Sequence, residues 1–236
     1  MKVRSDRNLN VSDATTAKCQ NVVIFDLDHT ISKKDTYLLF LLFLLKRYPW
    51  RLLRCILLPW YVLLYKAKLC DNSILKEKFL TAIAAGMKRN CIAYVSTEFI
   101  QKLLHSVIYA SARERIRFHK KQNDCLIVAT ASFDFYVNLL AQDLGFDTVV
   151  CTKAEWDPVG RLTGRIAGRN CYGLQKKVEI ENVFSSMNNV AQITVYSDHH
   201  ADLPLFSIAD HAVAINPSEK LKRFSVSNKM TIERWQ

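Results

Sequence analysis

The chain has 236 residues, half of them hydrophobic, and a formal net charge of +11. That length fits one large domain, or a core with a modest insertion, and leaves ample apolar material for a sizeable interior. Seven scattered cysteines, an odd number with no C-x-x-C pair, favour buried reduced thiols in a cytosolic chain over a disulfide framework or a zinc site. The first twenty residues are polar and mixed in charge, so no secretory signal is read there, and residues 1–19 are expected to form a tail.

The charge is unevenly spread. Residues 31–121 carry 18 Lys or Arg against 5 Asp or Glu, a local net of +13, whereas the remainder holds 15 basic against 17 acidic residues. The basic excess therefore belongs to one segment, as expected of a module with an anionic partner such as a membrane surface, a nucleic acid or a phosphorylated substrate.

The first predicted element is a strand. Val22, Val23, Ile24 and Phe25 form an uninterrupted apolar run, the pattern of a buried parallel strand. Asp26 and Asp28 stand at or just past its C-terminal end, the edge where open α/β sheets bind ligands. Residues two apart on an extended segment point the same way, so both carboxylates face one small volume. Two such charges coexist through a divalent cation, a shared proton or a division of tasks. An Asx turn leading into a solvated loop fits the same segment.

Two apolar stretches follow, Tyr37 to Leu45 and Cys55 to Tyr65, rimmed by Lys46, Arg47, Arg51, Arg54, Lys66 and Lys68 and by Trp50 and Trp60. Neither reaches the roughly 20 apolar residues that span a bilayer. Their rims carry the residues enriched where membrane meets water, so residues 37–66 are expected to form a helical hairpin dipping into one leaflet. A buried helix pair is the alternative. Residues 72–121 continue the helical spacing, with Ile74, Leu75, Phe79, Leu80 and Ile83 and then Phe99, Leu103 and Leu104.

Strand-like runs return at 125–129 and 147–151, separated by a predicted helix, 134–144, that stops at Gly145. Glu155 to Arg169 encloses Asp157-Pro158-Val159-Gly160, the signature of a β-hairpin. Helix 173–186 and strands 191–197 and 211–215 complete the alternation, which argues for a parallel α/β sheet. The domain reading is a core of 20–33 and 122–225, an inserted helical unit of 34–121, and a polar tail of 226–236.

Further chemistry-bearing residues follow strand ends. Ser197-Asp198-His199-His200-Ala201-Asp202 follows the apolar run 190–196, and parallel strands bring their C-terminal ends to one edge. Asp198 is thereby expected to approach Asp26 and Asp28 in a hard-oxygen pocket suited to Mg2+. Thr130 and Ser132 leave another strand into a helix, where hydroxyls and free N–H groups make an anion site, although Ser132 reads first as an N-cap. Lys176 opens a helix after Gly173. Adjacent His199 and His200 diverge on most backbones and read as exposed loop residues rather than zinc ligands.

These segments together resemble the haloacid dehalogenase (HAD) phosphatase superfamily, subfamily IB, the branch that includes phosphoserine phosphatase and HAD-type phosphatidylglycerophosphatase. Asp26-Leu27-Asp28-His29-Thr30 matches the family's D-x-D-x-T motif, Thr130 its strand-closing Ser or Thr, Gly173-Leu174-Gln175-Lys176 its G-x-x-K, and Asp198 to Asp202 its acidic D-x-x-x-D loop. The insert falls where this branch carries its cap. His29 stands where many relatives have Gly, and Ser197 where Gly is frequent before the acidic loop.

The resemblance implies a HAD-like Rossmannoid α/β fold, a parallel sheet with helices on both faces and a helical cap between strands 1 and 2. It also implies roles. Asp26 is the nucleophile, Asp28 the acid and base, and Thr130 and Lys176 hold phosphoryl oxygens. Mg2+ sits on the Asp26 carboxylate, the Asp28 main-chain carbonyl and Asp198, and Asp202 stands behind the ligands. The apolar, basic cap points to a lipid phosphate such as phosphatidylglycerophosphate, handled at the cytoplasmic face of the inner membrane on an anionic surface. The rival substrate is a small soluble metabolite such as phosphoserine. Nucleic acid is not expected as a partner, because RNA-binding motifs are absent and aromatic residues are not interleaved with the charges.

Overall fold

The computed structural model of the chain describes residues 21–187 and 189–236, with backbone alone at 103–105. The expected tail 1–19, Cys19 and the side chains of Leu103 and Leu104 lie outside the described residues. In chain order the elements are β1 (Asn21–Phe25), α1 (Thr36–Arg47), a 3-10 helix (Pro49–Cys55), α2 (Leu58–Lys66), α3 (Asn72–Ala84), α4 (Arg89–Ser106) and α5 (Ala110–Lys121). There follow β2 (Cys125–Phe133), α6 (Asp134–Leu144), β3 (Thr148–Thr152), β4 (Ala154–Trp156), β5 (Leu162–Ile166) and α7 (Leu174–Phe184). The chain ends with β6 (Gln192–Ser197), a 3-10 turn (His200–Asp202), α8 (Leu203–Phe206), β7 (His211–Ile215), α9 (Glu219–Ser227) and β8 (Thr231–Glu233).

Six strands form one sheet in the order β3-β2-β1-β6-β7-β8, and every pairing in it is parallel. β1 is central, and its four apolar residues are buried on both faces of the sheet. Val23 and Phe25 join one core cluster with α1 and α3 to α6, while Val22 and Ile24 join a second with Ile180 of α7, Leu205 of α8 and Leu221 of α9. Helices on both faces explain why β1 reads as a continuous apolar run rather than an alternating one. Strand order departs in opposite directions on either side of β1, through β2 and through β6, so a crevice opens at their C-terminal ends.

The insert is anchored more firmly than a membrane hairpin would be. Asp35 caps α1 by accepting from Leu38 N at 2.8 Å, and Thr36, Phe40, Leu41 and Leu44 bury one helical stripe. Phe40 packs against Phe99 of α4 at 5.3 Å and stacks on Tyr136 of α6 at 5.1 Å between ring centroids. One face of the first apolar stretch is thus packed into the core. Only its continuation is exposed: no residue of the 3-10 helix is buried, and in α2 only Leu58 is. Pro59, near the start of α2, separates the two segments. Among the described residues, no helix is long and apolar enough to cross a membrane.

Two further boundaries move. α5 was expected in the insert, yet it lies against the sheet. His119 Nε2 and Arg115 Nη1 bond the Tyr196 hydroxyl of β6 at 2.9 and 3.1 Å. The expected tail 226–236 contains β8, which extends the sheet beside β7, and the buried Trp235. Arg115 holds both carboxylate oxygens of Glu233 at 2.9 Å, and Asn216 exchanges two hydrogen bonds with the Trp235 backbone. An edge strand is ordered by backbone pairing and needs no apolar pattern, so polarity concealed it.

Candidate active site

Asp26 follows β1 directly, and its backbone N–H still donates to Tyr196 O of β6 at 2.9 Å. From there the chain turns tightly: Ile31 N and Ser32 N both return to Leu27 O, at 3.0 and 2.9 Å. His29 takes a φ of 62° in that turn, the left-handed region that glycine occupies most easily. Leu27, wholly buried, pins the turn from below. The result separates the two carboxylates. Asp28 Oδ1 accepts from Thr36 N at 2.6 Å and Oδ2 from Ser132 Oγ at 2.7 Å, while Asp26 faces the crevice.

Asp26 is 7% exposed and its two oxygens have different neighbours. Lys176, from the first turn of α7, donates to Oδ1 at 2.7 Å and to Asp202 Oδ2 at 2.8 Å. Ser197 Oγ adds a bond to the same Asp202 oxygen at 2.6 Å, so Asp202 fixes the lysine. The Thr30 hydroxyl lies 3.4 Å from Asp26 Oδ2 and 3.4 Å from Asp198 Oδ1, poised between the two carboxylates. Thr130, in β2 where its register with β3 shifts, accepts from Ser132 N at 3.0 Å and lines the same crevice. The structure therefore brings together all six residues singled out in the sequence: Asp26, Asp28, Thr130, Lys176, Asp198 and Asp202.

The electrostatics follow from burial. Burial pushes Asp26 up to about 7, with Lys176 opposing and Asp202 and Asp28 adding to the rise. Asp198 is pushed up to about 8 by burial and then by the Asp26 and Asp202 charges. Burial alone would lower the Lys176 ammonium, but Asp202 and Asp26 outweigh it and hold it above its ordinary value. Asp198 forms no ion pair among the described residues, although Asp26 stands across Thr30 from it.

Two buried carboxylates facing one gap, with a single lysine committed to one of them, make a donor set short of positive charge. Among the described residues, no three His, Cys, Asp or Glu side chains cluster closely enough to hold a metal. A set of two carboxylates completed by a main-chain carbonyl and waters suits a hard cation such as Mg2+, which keeps much of its water. The residues present fit that ion.

The site contains partners that the sequence reading missed. Ser132 is not an N-cap: Phe133 occupies that position of α6, and the Ser132 hydroxyl holds Asp28 instead. Thr36 supports Asp28 from α1. His199 is half-buried and lines the cavity rather than standing exposed, with Nδ1 accepting from Ala201 N at 3.2 Å. Lys76, on α3, reaches in from the insert, donating to Ala131 O at 2.6 Å and to Asn170 Oδ1 at 3.1 Å. Burial lowers its ammonium to about 8, partly offset by Asp28 and Asp35. As one of 18 basic residues in the segment, Lys76 carried no distinguishing signal.

The cavity measures about 460 Å3 and has two characters. The sheet edge supplies Asp26, Asp28, Thr130, Lys176 and Asp198, whereas the insert supplies Tyr37, Leu38, Leu41, Tyr65, Leu75 and Phe79. Leu38 and Tyr65 of that wall are partly open to solvent.

The profile of the haloacid dehalogenase-like hydrolase family matches residues 23–207. A protein of Mycobacterium tuberculosis described as a probable phosphatase is 26% identical over 218 residues, covering 89% of this chain and 73% of that one. Among solved structures, a protein of unknown function from Bordetella pertussis superposes with a TM-score of 0.79 at 23% identity, covering 91% of this chain and 98% of that one. A phosphoserine phosphatase carrying a phospho-aspartyl intermediate analogue gives a TM-score of 0.62 at 18% identity, over 91% and 93% of the two chains.

Proposed function

The chain belongs to the haloacid dehalogenase-like hydrolase family, and from that premise we propose that it is a Mg2+-dependent phosphomonoesterase that works through an aspartyl-phosphate and acts on a membrane lipid phosphate. The observation that carries the chemistry is the split environment of the two aspartates. Asp26 Oδ2 faces the gap toward Asp198, while Asp28 is held by Thr36 and Ser132 outside the Lys176 cluster.

Asp26 attacks phosphorus, forming a bond from its carboxylate oxygen as the ester oxygen departs. Asp28 delivers a proton to that oxygen, then takes one from the water that opens the aspartyl-phosphate. Lys176 and Thr130 face the phosphoryl oxygens and stabilise the charge spread over them. Asp26, Asp198 and the Asp28 carbonyl would hold Mg2+, which would supply charge neutralisation between nucleophile and phosphate.

The lipid assignment rests on the insert. It lines the cavity with Tyr37, Leu38, Leu41, Tyr65, Leu75 and Phe79, and it exposes Trp50, Leu53, Ile56, Leu57 and Trp60. A phosphate ester with an acyl or prenyl tail occupies such a wall; a small amino-acid phosphate leaves it empty. The second reading, a soluble phosphatase for a small polar ester, draws on Asp35, Asn72 and Lys76 in the same cavity.

A phosphate-release assay, with Mg2+ or with EDTA, separates these readings. Dispersed phosphatidylglycerophosphate and polyprenyl phosphate are compared with phosphoserine and other soluble esters. We expect hydrolysis only with Mg2+, and kcat/KM at least about tenfold higher for a lipid ester, a margin of roughly 1.4 kcal/mol. The converse preference makes the soluble reading correct. Asp26→Asn abolishes turnover while circular dichroism stays native; residual phosphomonoester hydrolysis by that variant removes Asp26 as nucleophile.

A further inference from the structure

Tyr136 stands in the first turn of α6, and its side chain is wholly enclosed. The ring stacks on Phe40 of α1 with an interplanar angle of 20° and meets Phe99 of α4 edge-on at 5.6 Å. A phenylalanine would fill that aromatic cage as well. A buried phenol, by contrast, needs a hydrogen-bond partner for its hydroxyl. That partner is Thr36 Oγ1, 3.2 Å away. The polar contact therefore has a purpose beyond packing, and it leads toward the active site.

Counting hydrogens fixes the direction of each bond, because a hydroxyl has one hydrogen to donate. Ser132 Oγ donates to Asp28 Oδ2 at 2.7 Å, which commits its hydrogen. Thr36 Oγ1, 3.2 Å from Ser132 Oγ, must then be the donor to it. Tyr136 is in turn the donor to Thr36 Oγ1, whose own hydrogen is engaged. Burial, and then the Asp28 charge, hold the phenol well above its ordinary value, so it retains the hydrogen it donates. Three hydroxyls thus point one way, from Tyr136 through Thr36 and Ser132 to Asp28. None of the three residues is more than 2% exposed, so the chain is closed to bulk solvent. It also crosses from core to insert and back, since Thr36 opens α1 whereas Tyr136 and Ser132 belong to α6 and β2.

The consequence falls on Asp28. Its Oδ1 accepts from Thr36 N at 2.6 Å and its Oδ2 from Ser132, so both oxygens are held by donors of the protein interior. Each carboxylate oxygen has a further lone pair. The ones left open serve the cavity, which Asp28 lines. A proton on this carboxyl finds no inner acceptor among these groups, because every one of them donates toward it. We propose that Tyr136 and Thr36 are positioning residues for proton transfer at Asp28, acting with Ser132 to aim that carboxyl at the leaving oxygen. Neither Tyr136 nor Thr36 lines the cavity, so their effect reaches the substrate only through Asp28. The assignment rests on the phosphomonoesterase reading but not on the choice between lipid and soluble substrates.

The test grades esters by leaving group: p-nitrophenyl, phenyl and ethyl phosphate. Nitrophenolate departs without a proton, whereas phenolate and still more ethoxide need one from an acid. kcat/KM is measured with Mg2+, since it reports the steps up to departure of the alcohol and not the later opening of the aspartyl-phosphate. Wild type is compared with Tyr136→Phe, Thr36→Val, Thr36→Ser and the double variant Tyr136→Phe with Thr36→Val, and thermal melts confirm folding. Phenylalanine keeps the ring in its cage, and valine keeps both the volume and the backbone N–H that holds Asp28 Oδ1. We expect Tyr136→Phe and Thr36→Val each to lower kcat/KM about tenfold for phenyl and ethyl phosphate, and less than about twofold for p-nitrophenyl phosphate. Thr36→Ser, which retains the hydroxyl, stays near wild type. The double variant loses little more than either single one, as two links of one chain should. Losses equal across the three leaving groups overturn the assignment and leave both residues as packing groups. Additive losses in the double variant overturn it too, because the hydroxyls then act separately. A wild type that hydrolyses none of these esters, nor any of the lipid and soluble esters named above, defeats the phosphomonoesterase reading and the assignment with it.

Discussion

Lys176 shows how a single residue carries structure and chemistry together. Its ammonium is almost fully enclosed and balances Asp26 on one side and Asp202 on the other. Removing one member of a buried ion cluster leaves uncompensated charge, a loss of about 3–5 kcal/mol. Lys176→Met should therefore lose about that much stability in urea denaturation, besides losing activity. A change below about 1 kcal/mol would show that the three groups are not coupled as the distances imply. The residue scale also explains the departure at His29. A φ of 62° is tolerated by histidine at some cost, so the turn between Asp28 and Thr30 forms without a glycine. Ser197, likewise, contributes a hydroxyl that anchors Asp202, a use no glycine has.

At the scale of elements, the decisive contact is between α3 and the β4–β5 hairpin. Thr81 Oγ1 donates to Gly164 O at 3.2 Å, and Glu77 accepts from Ile166 N at 2.8 Å. The chain after α3 continues the contact, with Gly86 N donating to Leu162 O at 2.8 Å and Leu162 N to Met87 O at 2.9 Å. Gly164 has a φ of +90°, and a Cβ there would come within 2.5 Å of the Thr81 backbone. Gly164→Ala should cost about 1–3 kcal/mol through strain and overpacking, read as a fall in the denaturation midpoint. An unchanged midpoint would mean that the helix is not seated on the hairpin. The same helix consumes part of the basic excess: Arg51 and Arg54 donate to the carbonyls of Thr81, Ile83 and Ala85 at its C-terminal end. These guanidiniums complement the helix dipole and terminal acceptors, and so are less available to an outside anion than composition implies.

At the scale of the whole molecule, the unexplained feature is the exposed apolar surface of the insert. Leu53 is 83% exposed and Ile56 81%, and no residue of the 3-10 helix is fully buried. If this surface meets anionic lipid, the protein should co-sediment with phosphatidylglycerol-containing vesicles, and added salt should weaken the binding. Leu53→Glu with Ile56→Glu should reduce vesicle affinity at least about tenfold, since each buried aliphatic side chain contributes roughly 1.5–3 kcal/mol. Equal binding by this double variant would remove the surface from the membrane reading. Local patterns alone carried much of the architecture. The runs at 22–25, 125–129, 191–197 and 211–215 are strands because fully buried parallel strands must be apolar on both faces, and the Asp157-Pro158-Val159-Gly160 turn closes a hairpin as its residues require. The three motifs that follow strands were legible for the same reason, since parallel strands deliver their C-terminal ends to one edge, and Lys176 was legible as the opening of a helix after Gly173. Only the tertiary structure decided that α1 is core, that Ser132 serves Asp28, that β8 completes the sheet and that Lys76 enters the cavity. Each of these depends on a partner far away in the chain, and neither hydrophobic period nor residue type encodes which distant atom a side chain will meet.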